Sequence, residues 1–188
     1  MKQKDISSTT RAQILDAASR VVLDRGVSAL TLEAAAQQAG ISKGGLLYHF
    51  PSKNSLIAGM IERLIAEFDS DLEQELDKRN GNWLVAYIRA SLKADPQRDQ
   101  LSCALIAALA NNPDLLRPLQ ERFVAWQQQA EAAAPSPEIG SLVRLALDGL
   151  WYSALFGFAP LAPVMRDKVL QALLKLAQGD IKTTDEER

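Results

Sequence analysis

The densest group of side chains suited to a charged partner lies between Thr31 and Lys53. This stretch reads TLEAAAQQAGISKGGLLYHFPSK. Lys43 and Lys53 supply positive charge, and Tyr48 and His49 supply hydrogen-bond donors beside a helix start that is itself electropositive. These groups suit phosphates and base edges, so duplex DNA is the partner that the residue types favour.

Adjacent glycines at 44 and 45 are unexpected in a helix. Each costs roughly 1 kcal/mol relative to alanine in a helix interior, so helix stability does not explain them. One interpretation is that the helix start approaches another surface closely, with no Cβ between them. The alternative is that residues 43–45 form a loop. The cationic and aromatic neighbours favour the first interpretation.

Two short helices position these residues. Thr31 has the side chain of an N-cap and predicts a helix to about Ala39, which Gly40 ends with a positive φ. Ser42 is a second N-cap, for a helix through about Phe50. A connection this short holds two helices at a steep angle, which is the arrangement of a helix-turn-helix.

The same run resembles the DNA-binding domain of the TetR (tetracycline-repressor) family of bacterial regulators over about residues 11–56, and its G-x-L-x-x-H-F-x-S-K portion is specific. The resemblance implies that Lys43, Gly44 and Gly45 face bases in the major groove. It also implies that Thr31, Tyr48, His49 and Lys53 contact the phosphate backbone. The full set of candidate DNA-binding residues is Thr31, Ser42, Lys43, Gly44, Gly45, Leu47, Tyr48, His49 and Lys53.

Three positions depart from the family's pattern. Ala35 replaces a common isoleucine, so the packing beneath the first helix is expected to be lighter. Leu47 stands where the family usually has a phosphate-binding tyrosine. Glu33 stands where some members carry a basic DNA contact, and near a helix start we expect its carboxylate to interact with the helix dipole.

Composition predicts an all-α protein with its positive charge near the N-terminus. Ala, Leu, Gln and Glu dominate the 188 residues, and few segments are rich in β-branched residues. The net charge is −2, but residues 1–56 carry seven Lys and Arg against four Asp and Glu, whereas residues 57–188 carry fourteen against nineteen. The helix-turn-helix therefore lies in the cationic segment, which is mild support for nucleic acid as a partner.

Several features predict a cytoplasmic protein without a membrane anchor. The single Cys103 cannot form an internal disulfide. Residues 1–20 contain no apolar segment typical of a signal peptide. The charge-free run 149–165 is interrupted by Pro160 and Pro163, and a membrane span needs about 20 apolar residues.

Enzymatic chemistry is not favoured. His49 is the one histidine, so a Ser-His-Asp triad outside the DNA-reading segment is not expected. The sequence has no E-x-x-H pair, P-loop or G-x-G-x-x-G run. We therefore predict no enzyme activity, no cofactor and no metal site.

Hydrophobic periodicity predicts helices along the whole chain. We expect a helix-turn-helix domain, residues 1–53, and a helical bundle, residues 54–188, which the family resemblance implies is a ligand-binding and dimerisation domain. A long helix from Lys53 to about Lys78 links them. The other predicted helices cover residues 11–24, 83–94, 99–110, 115–134, 138–158 and 164–177.

The second domain offers an apolar pocket as one interpretation of its aromatic residues. Aromatic residues at helical spacing more often form plain core, and the family resemblance favours a pocket for a small hydrophobic effector. Asp148 follows Arg144 by four residues, so it either pairs with that arginine or orients a polar or cationic group of the effector. The candidate ligand-binding residues are Met60, Phe68, Trp83, Tyr87, Cys103, Phe123, Trp126, Asp148, Trp151 and Tyr152.

The last two helices are more apolar than the surface of a monomer requires. Helix-turn-helix proteins commonly bind palindromic sites as two-fold dimers, and the resemblance implies a four-helix dimer interface. The alternative is that these helices form only the core of one domain. The candidate interface residues are Leu142, Leu145, Gly149, Ser153, Gly157, Leu170, Leu173 and Leu174.

The function expected from these features is a homodimeric transcriptional repressor that a small hydrophobic molecule releases from a palindromic operator. The alternative is a DNA-associated structural or partner-binding protein that has the same helix-turn-helix but no small ligand. A cavity that binds apolar compounds would separate the two.

Overall fold

The computed structural model describes residues 2–78, 81–109 and 112–180. Within these residues the chain forms helices and no strand, which confirms the predicted all-α class. Short 3-10 turns occupy Val27–Ala29 and Pro113–Leu116. The α-helices are α1 (Lys2–Arg25), α2 (Leu32–Ala39), α3 (Lys43–His49), α4 (Lys53–Lys78), α5 (Trp83–Ser91), α6 (Pro96–Leu109), α7 (Arg117–Ala133), α8 (Pro137–Phe156) and α9 (Pro163–Gln178).

Two helices begin earlier than apolar periodicity predicts. Helix α1 starts at Lys2 rather than Arg11, because its first turns are polar and carry no apolar signal. Helix α6 starts at Pro96 rather than Asp99. The Asp95 carboxylate accepts a hydrogen bond from the Arg98 amide at 3.0 Å, so Asp95 caps the helix and proline occupies a tolerated first-turn position.

The chain divides into two compact units. The first contains Met1–Ala66 and Asp95–Gln120, and the second contains Glu67–Ala94 and Glu121–Arg188. Helix α6, which the sequence assigned to the second domain, packs against α1 in the first unit. The reason is its apolar face, since Leu101 and Leu105 are buried in the core that the helix-turn-helix shares.

The core of the first unit orients α3. Leu46 of α3 is fully buried, and Phe50, the residue that ends α3, is 2% exposed. They pack with Ile14 of α1, Leu30 before α2 and Leu56 of α4. Burying each side chain of this size contributes about 1.5–3 kcal/mol, so α3 is held by its inner face and its outer face is left to solvent.

Polar contacts fix the first half of α4 to α1. The Arg11 guanidinium lies 3.0 Å from the Glu62 carboxylate. Arg63 donates hydrogen bonds of 2.6 Å to the carboxylate of Asp16 and to the hydroxyl of Ser19. These contacts cross between two helices that are far apart in sequence, so they fix how α4 leaves the helix-turn-helix.

In the second unit, α5 packs against α8 and α9, and α8 packs against α9. The buried side chains of these helices include Ile88, Val143, Leu147 and Leu170. Across the described part of the chain, no helix has the length and apolar character that crossing a membrane requires.

We predict that Gly59→Ala destabilises the protein. A Cβ at this buried position would lie 2.7 Å from the Phe50 ring, which has packed neighbours on its other sides. Overpacking costs about 1–3 kcal/mol, and we expect this to exceed the roughly 1 kcal/mol by which alanine favours a helix interior. Urea unfolding measures the difference. The control is Gly44→Ala, whose Cβ meets no atom within 4 Å. Equal stability of Gly59→Ala and wild type would contradict the prediction.

Candidate nucleic-acid interface and effector site

Side-chain caps set both helices of the helix-turn-helix, as predicted. The Thr31 hydroxyl accepts a hydrogen bond from the Ala34 amide at 3.0 Å. The Ser42 hydroxyl accepts one from the Gly45 amide at 3.1 Å. Between them, Gly40 adopts a left-handed conformation with φ of 68°. These local signals confirm α2, α3 and the tight connection between them.

The predicted DNA-binding residues are all exposed or half-buried. Lys43 and Gly44 are exposed at the start of α3, and Tyr48 is 82% exposed in its last turn. Gly45 and His49 are half-buried. The remaining candidates, all exposed, are Thr31, Ser42, Leu47 and Lys53.

Gly44 is not required by the fold. A Cβ at Gly44 would meet no atom within 4 Å, whereas a Cβ at Gly45 would lie 3.3 Å from the Ser42 hydroxyl that caps the helix. Neither glycine has a positive φ. The glycine at 44 therefore leaves an open, flat position on the exposed side of α3, as close approach to another surface requires.

Glu33 has a partner that sequence reasoning missed. Its carboxylate accepts a hydrogen bond from the Lys43 ammonium group, so an ion pair joins the first turns of α2 and α3. This hydrogen bond is the main cause that lowers the pKa of Glu33. The predicted interaction with the helix dipole is therefore not its main feature. Glu33 and Lys43 are ten residues apart and lie on different helices, so no local sequence pattern indicated this pair.

Five aromatic side chains of the second unit form one cluster. The Phe68 ring lies edge-on to Trp126 at 4.9 Å and to Tyr87 at 5.5 Å, measured between ring centroids. Trp83 stacks on Tyr87 at 5.0 Å, and Phe123 packs on Trp126 at 5.2 Å. The structure thus brings together half of the candidate ligand-binding residues.

Four of the other candidates belong to a second aromatic group or to the first unit. Trp151 packs on Tyr152 at 5.0 Å, in a second aromatic group. Met60 and Cys103 belong to the first unit, and Met60 is completely buried in its core.

A polar network runs beside the aromatic cluster. Arg144 donates a hydrogen bond of 2.5 Å to Asp148 and another to the Gln127 side chain, so the Arg144–Asp148 pair is present. Burial raises the pKa of Asp148 although Arg144 acts in the opposite direction. Burial and then the charge of Asp148 raise the pKa of Tyr87 and of Tyr152. Asp148 therefore acts electrostatically on two aromatic candidates at once.

Asp69 is a further residue of this region that the sequence did not reveal. One of its carboxylate oxygens accepts hydrogen bonds from the Arg122 guanidinium at 2.6 and 3.0 Å and from the Trp126 indole at 3.0 Å. In the sequence, Asp69 is one of several acids on α4 that resemble a solvated helix face. It instead ties α4 to α7 at the aromatic cluster.

Helix α8 presents an exposed apolar stripe at intervals of three and four residues. Leu142 and Leu145 are 52% and 58% exposed, and Tyr152 and Phe156 are each 37% exposed. Gly149 lies between them and its missing Cβ faces open space. Three of the predicted interface residues are on this stripe.

The other predicted interface residues do not form such a surface. Leu170, Leu173 and Leu174 of α9 are at most 6% exposed within one protomer. They face α5 and α8, and periodicity alone cannot tell an inward stripe from an outward one. Ser153 and Gly157 instead end α8: the Ser153 hydroxyl donates to the Phe158 carbonyl, and Gly157 has a φ of 68°.

Comparison with known proteins gives two family matches. Residues 14–60 match the bacterial regulatory proteins of the tetR family, and residues 81–178 match the tetracyclin repressor-like C-terminal domain. The transcriptional regulator TtgR of Pseudomonas putida is 35% identical over 81 residues, 40% of this chain and 39% of its own length. The chain thus covers about two fifths of this relative.

Other similarities extend over nearly the whole chain. The transcriptional repressor Rv1474c of Mycobacterium tuberculosis is 28% identical over 194 residues, 95% of this chain and 96% of its own. Among solved structures, the multidrug binding protein EbrR complexed with malachite green has a TM-score of 0.68 at 21% identity, covering 87% of this chain and 96% of that one. The latter likeness concerns the fold alone.

We predict that Gly44→Leu keeps the fold and loses specific DNA binding. The new side chain enters open space in the free protein, so thermal unfolding should not occur at a lower temperature. In the groove it would keep α3 away from the bases, and we expect binding to a duplex selected by wild type to fall by about 10- to 100-fold or more. A mobility-shift assay measures the affinity.

Lys53→Ala is the comparison for Gly44→Leu, because it should weaken DNA binding without regard to sequence. If Lys53 contacts a phosphate, as the sequence predicts, its loss should weaken binding to all sequences and lower the salt slope by about 1. Normal binding of the selected duplex by Gly44→Leu would show that this side of α3 does not enter the groove.

Proposed function

Because this chain belongs to the TetR family of bacterial regulatory proteins, we propose that it is a DNA-binding transcriptional regulator. In this proposal it is a homodimeric repressor that a small hydrophobic molecule releases from a palindromic operator. The proposal has three parts: a reading head, which is the helix-turn-helix of residues 31–53, a dimer surface and an effector site. Each is supported by a separate group of residues.

The main observation in favour of the reading head is the exposed start of α3. There Lys43 precedes Gly44, where an added Cβ would meet no other atom within 4 Å. A flat helix face can reach base edges, and a lysine there can donate to guanine acceptors. Tyr48, His49 and Lys53 lie at the far end of α3 and the start of α4, where phosphate contacts would set the register on the duplex. An ordinary surface helix has no reason to keep a glycine at position 44.

The dimer surface is the exposed stripe of α8. Apolar residues at intervals of three and four are the pattern by which two helices pack against each other. A two-fold operator presents two equivalent half-sites, and a two-fold dimer places one reading head on each. In this proposal, Leu142, Leu145 and Gly149 contact the same residues of a second copy, and the buried leucines of α9 support α8 from behind.

The effector site is the aromatic cluster with its polar edge. Phe68, Tyr87 and Trp126 offer ring faces and edges, and Asp148 offers a half-buried carboxylate whose pKa is already raised by its partial burial. A flat aromatic cation would gain ring contacts and relieve the unfavourable burial of that carboxylate. EbrR, which was solved with malachite green, shares the fold. The proposed ligand class, a flat aromatic cation, is inferred from the aromatic rings and the Asp148 carboxylate of this chain.

Release would run through α4. This helix continues unbroken from Lys53 to Lys78. Its second half carries Phe68 and Asp69, which contact Trp126, and its first half carries Arg63, which is bonded to α1. A molecule that displaces Trp126 removes contacts that hold α4. To release DNA, it must bind the DNA-incompetent state more tightly than the competent one.

A second candidate function is a DNA-associated protein without a small ligand. It is favoured by the close packing of the cluster, since Tyr87 and Trp126 are only 3% and 5% exposed. The Arg144–Asp148 pair also satisfies both charges without a ligand. The ligand experiment below decides between the two functions.

We predict that Leu145→Glu separates the dimer. The wild-type chain should sediment at twice its mass of 20.6 kDa, and the variant should sediment as a monomer because a charge buried without a partner opposes assembly. Operator affinity should fall with it, since one head makes too few contacts. The control is Val124→Glu on α7, which is also 58% exposed but lies outside the stripe. A monomeric wild type, or equal effects of both variants, would contradict the prediction.

We predict that ethidium, a flat aromatic cation, quenches tryptophan fluorescence and releases DNA in proportion to its occupancy. All three tryptophans lie in the second unit. Asp148→Asn should weaken the binding of ethidium by roughly 1–3 kcal/mol more than it weakens the binding of an uncharged phenanthridine of the same shape. Equal losses for both compounds would make Asp148 a structural residue. No quenching by either compound would favour the ligand-free function.

A further inference from the structure

The ion pair between Glu33 and Lys43 is the one acidic contact on the reading head within the described residues of α2 and α3. Glu33 lies in the first turn of α2, and Lys43 opens α3. Both side chains are exposed, at 62% and 57%. The carboxylate is therefore in direct contact with the ammonium group of a predicted base-contacting residue.

Stability does not account for this pair. An exposed ion pair contributes little to folding, because water screens it and two long side chains lose freedom. On DNA the carboxylate is unfavourable, since it adds negative charge beside phosphates and occupies an ammonium group that could release counterions. A lysine or a neutral residue at position 33 would bind duplex DNA more tightly. A function in sequence discrimination explains why an acid is present there.

The pair is also complementary to one kind of base pair. An ammonium donor and a carboxylate acceptor lie side by side. In the major groove, guanine presents O6 and N7 as acceptors, and its cytosine partner presents the N4 amino group as a donor. Lysine binds the first and glutamate accepts from the second, so the two side chains together match both halves of a G·C pair.

We propose that Glu33 is a specificity-determining residue which, together with Lys43, reads one G·C base pair in each operator half-site. The inference rests on the proposed DNA-binding role of α3 and adds a residue to it. Off the operator, the two side chains remain bound to each other. On the operator, each exchanges its partner for one base of the pair.

The exchange is favourable only at the matching base pair. Opposite an A·T pair, the thymine O4 acceptor would face the carboxylate, and the two oxygens repel each other. On random sequence, Lys43 stays neutralised by Glu33, so the reading head loses one cationic contact. Glu33 therefore lowers non-specific affinity more than it lowers operator affinity.

The test is selection from a randomised duplex library, with wild type and three variants of the full chain. Wild type should enrich a two-fold symmetric motif. Glu33→Ala should enrich the same motif without its preference at one G·C pair in each half, and its affinity for unselected duplex should rise by about three- to tenfold. Lys43→Ala should lose the same preference, but its affinity for unselected duplex should fall.

Asp24→Ala is the matched control, since it removes an exposed acid from the same unit away from α3. It should leave the motif and the affinity for unselected duplex unchanged. An unaltered motif with Glu33→Ala, or an equal rise with Asp24→Ala, would overturn the inference and leave the reading head intact. Failure of wild type to enrich any motif would overturn the proposed function itself. Because Glu33 is exposed, circular dichroism should show no loss of helix in its variant.

Discussion

The position of the reading helix depends on how Phe50 is held. This residue ends α3, is almost completely buried, and has the Arg11 guanidinium 5.2 Å from its ring centroid. On α4, Gly59 leaves room for the ring where any Cβ would come within 2.7 Å. One aromatic side chain thus joins the end of α3 to both α1 and α4. Its burial fixes the inner side of α3, and this leaves Lys43 and the open glycine beside it facing outward.

The same helix that receives Phe50 continues into the second unit. There its side chains change role: Phe68 packs into the aromatic cluster, and Asp69 accepts three hydrogen bonds from α7. A helix fixed by side-chain contacts at both ends transmits strain better than a loop, because its backbone hydrogen bonds resist bending. This continuity gives a physical basis for a proposal in which effector and DNA compete through one structural element.

Local signals in the sequence were sufficient to predict α2, α3 and the tight turn between them. The caps of Thr31 and Ser42 and the left-handed Gly40 act within four residues, so their pattern predicted the two helices and their connection. Contacts between distant segments were not predictable in this way. The Glu33–Lys43 pair and the bonds to Asp69 depend on tertiary packing, and the buried leucines of α9 have the same spacing as an exposed stripe. Periodicity identifies an apolar face, but only packing decides whether that face meets its own protomer or a second copy.

In the proposed function, the outward side of α3 binds DNA while α8 holds two copies together. Hydrogen-exchange mass spectrometry of the full chain, with and without a duplex selected by wild type, tests it most directly. The account predicts that DNA slows exchange in residues 31–53, whereas residues 137–156 are already protected without DNA and do not change. Protection by DNA confined to residues outside 31–53, or none anywhere, would contradict the account.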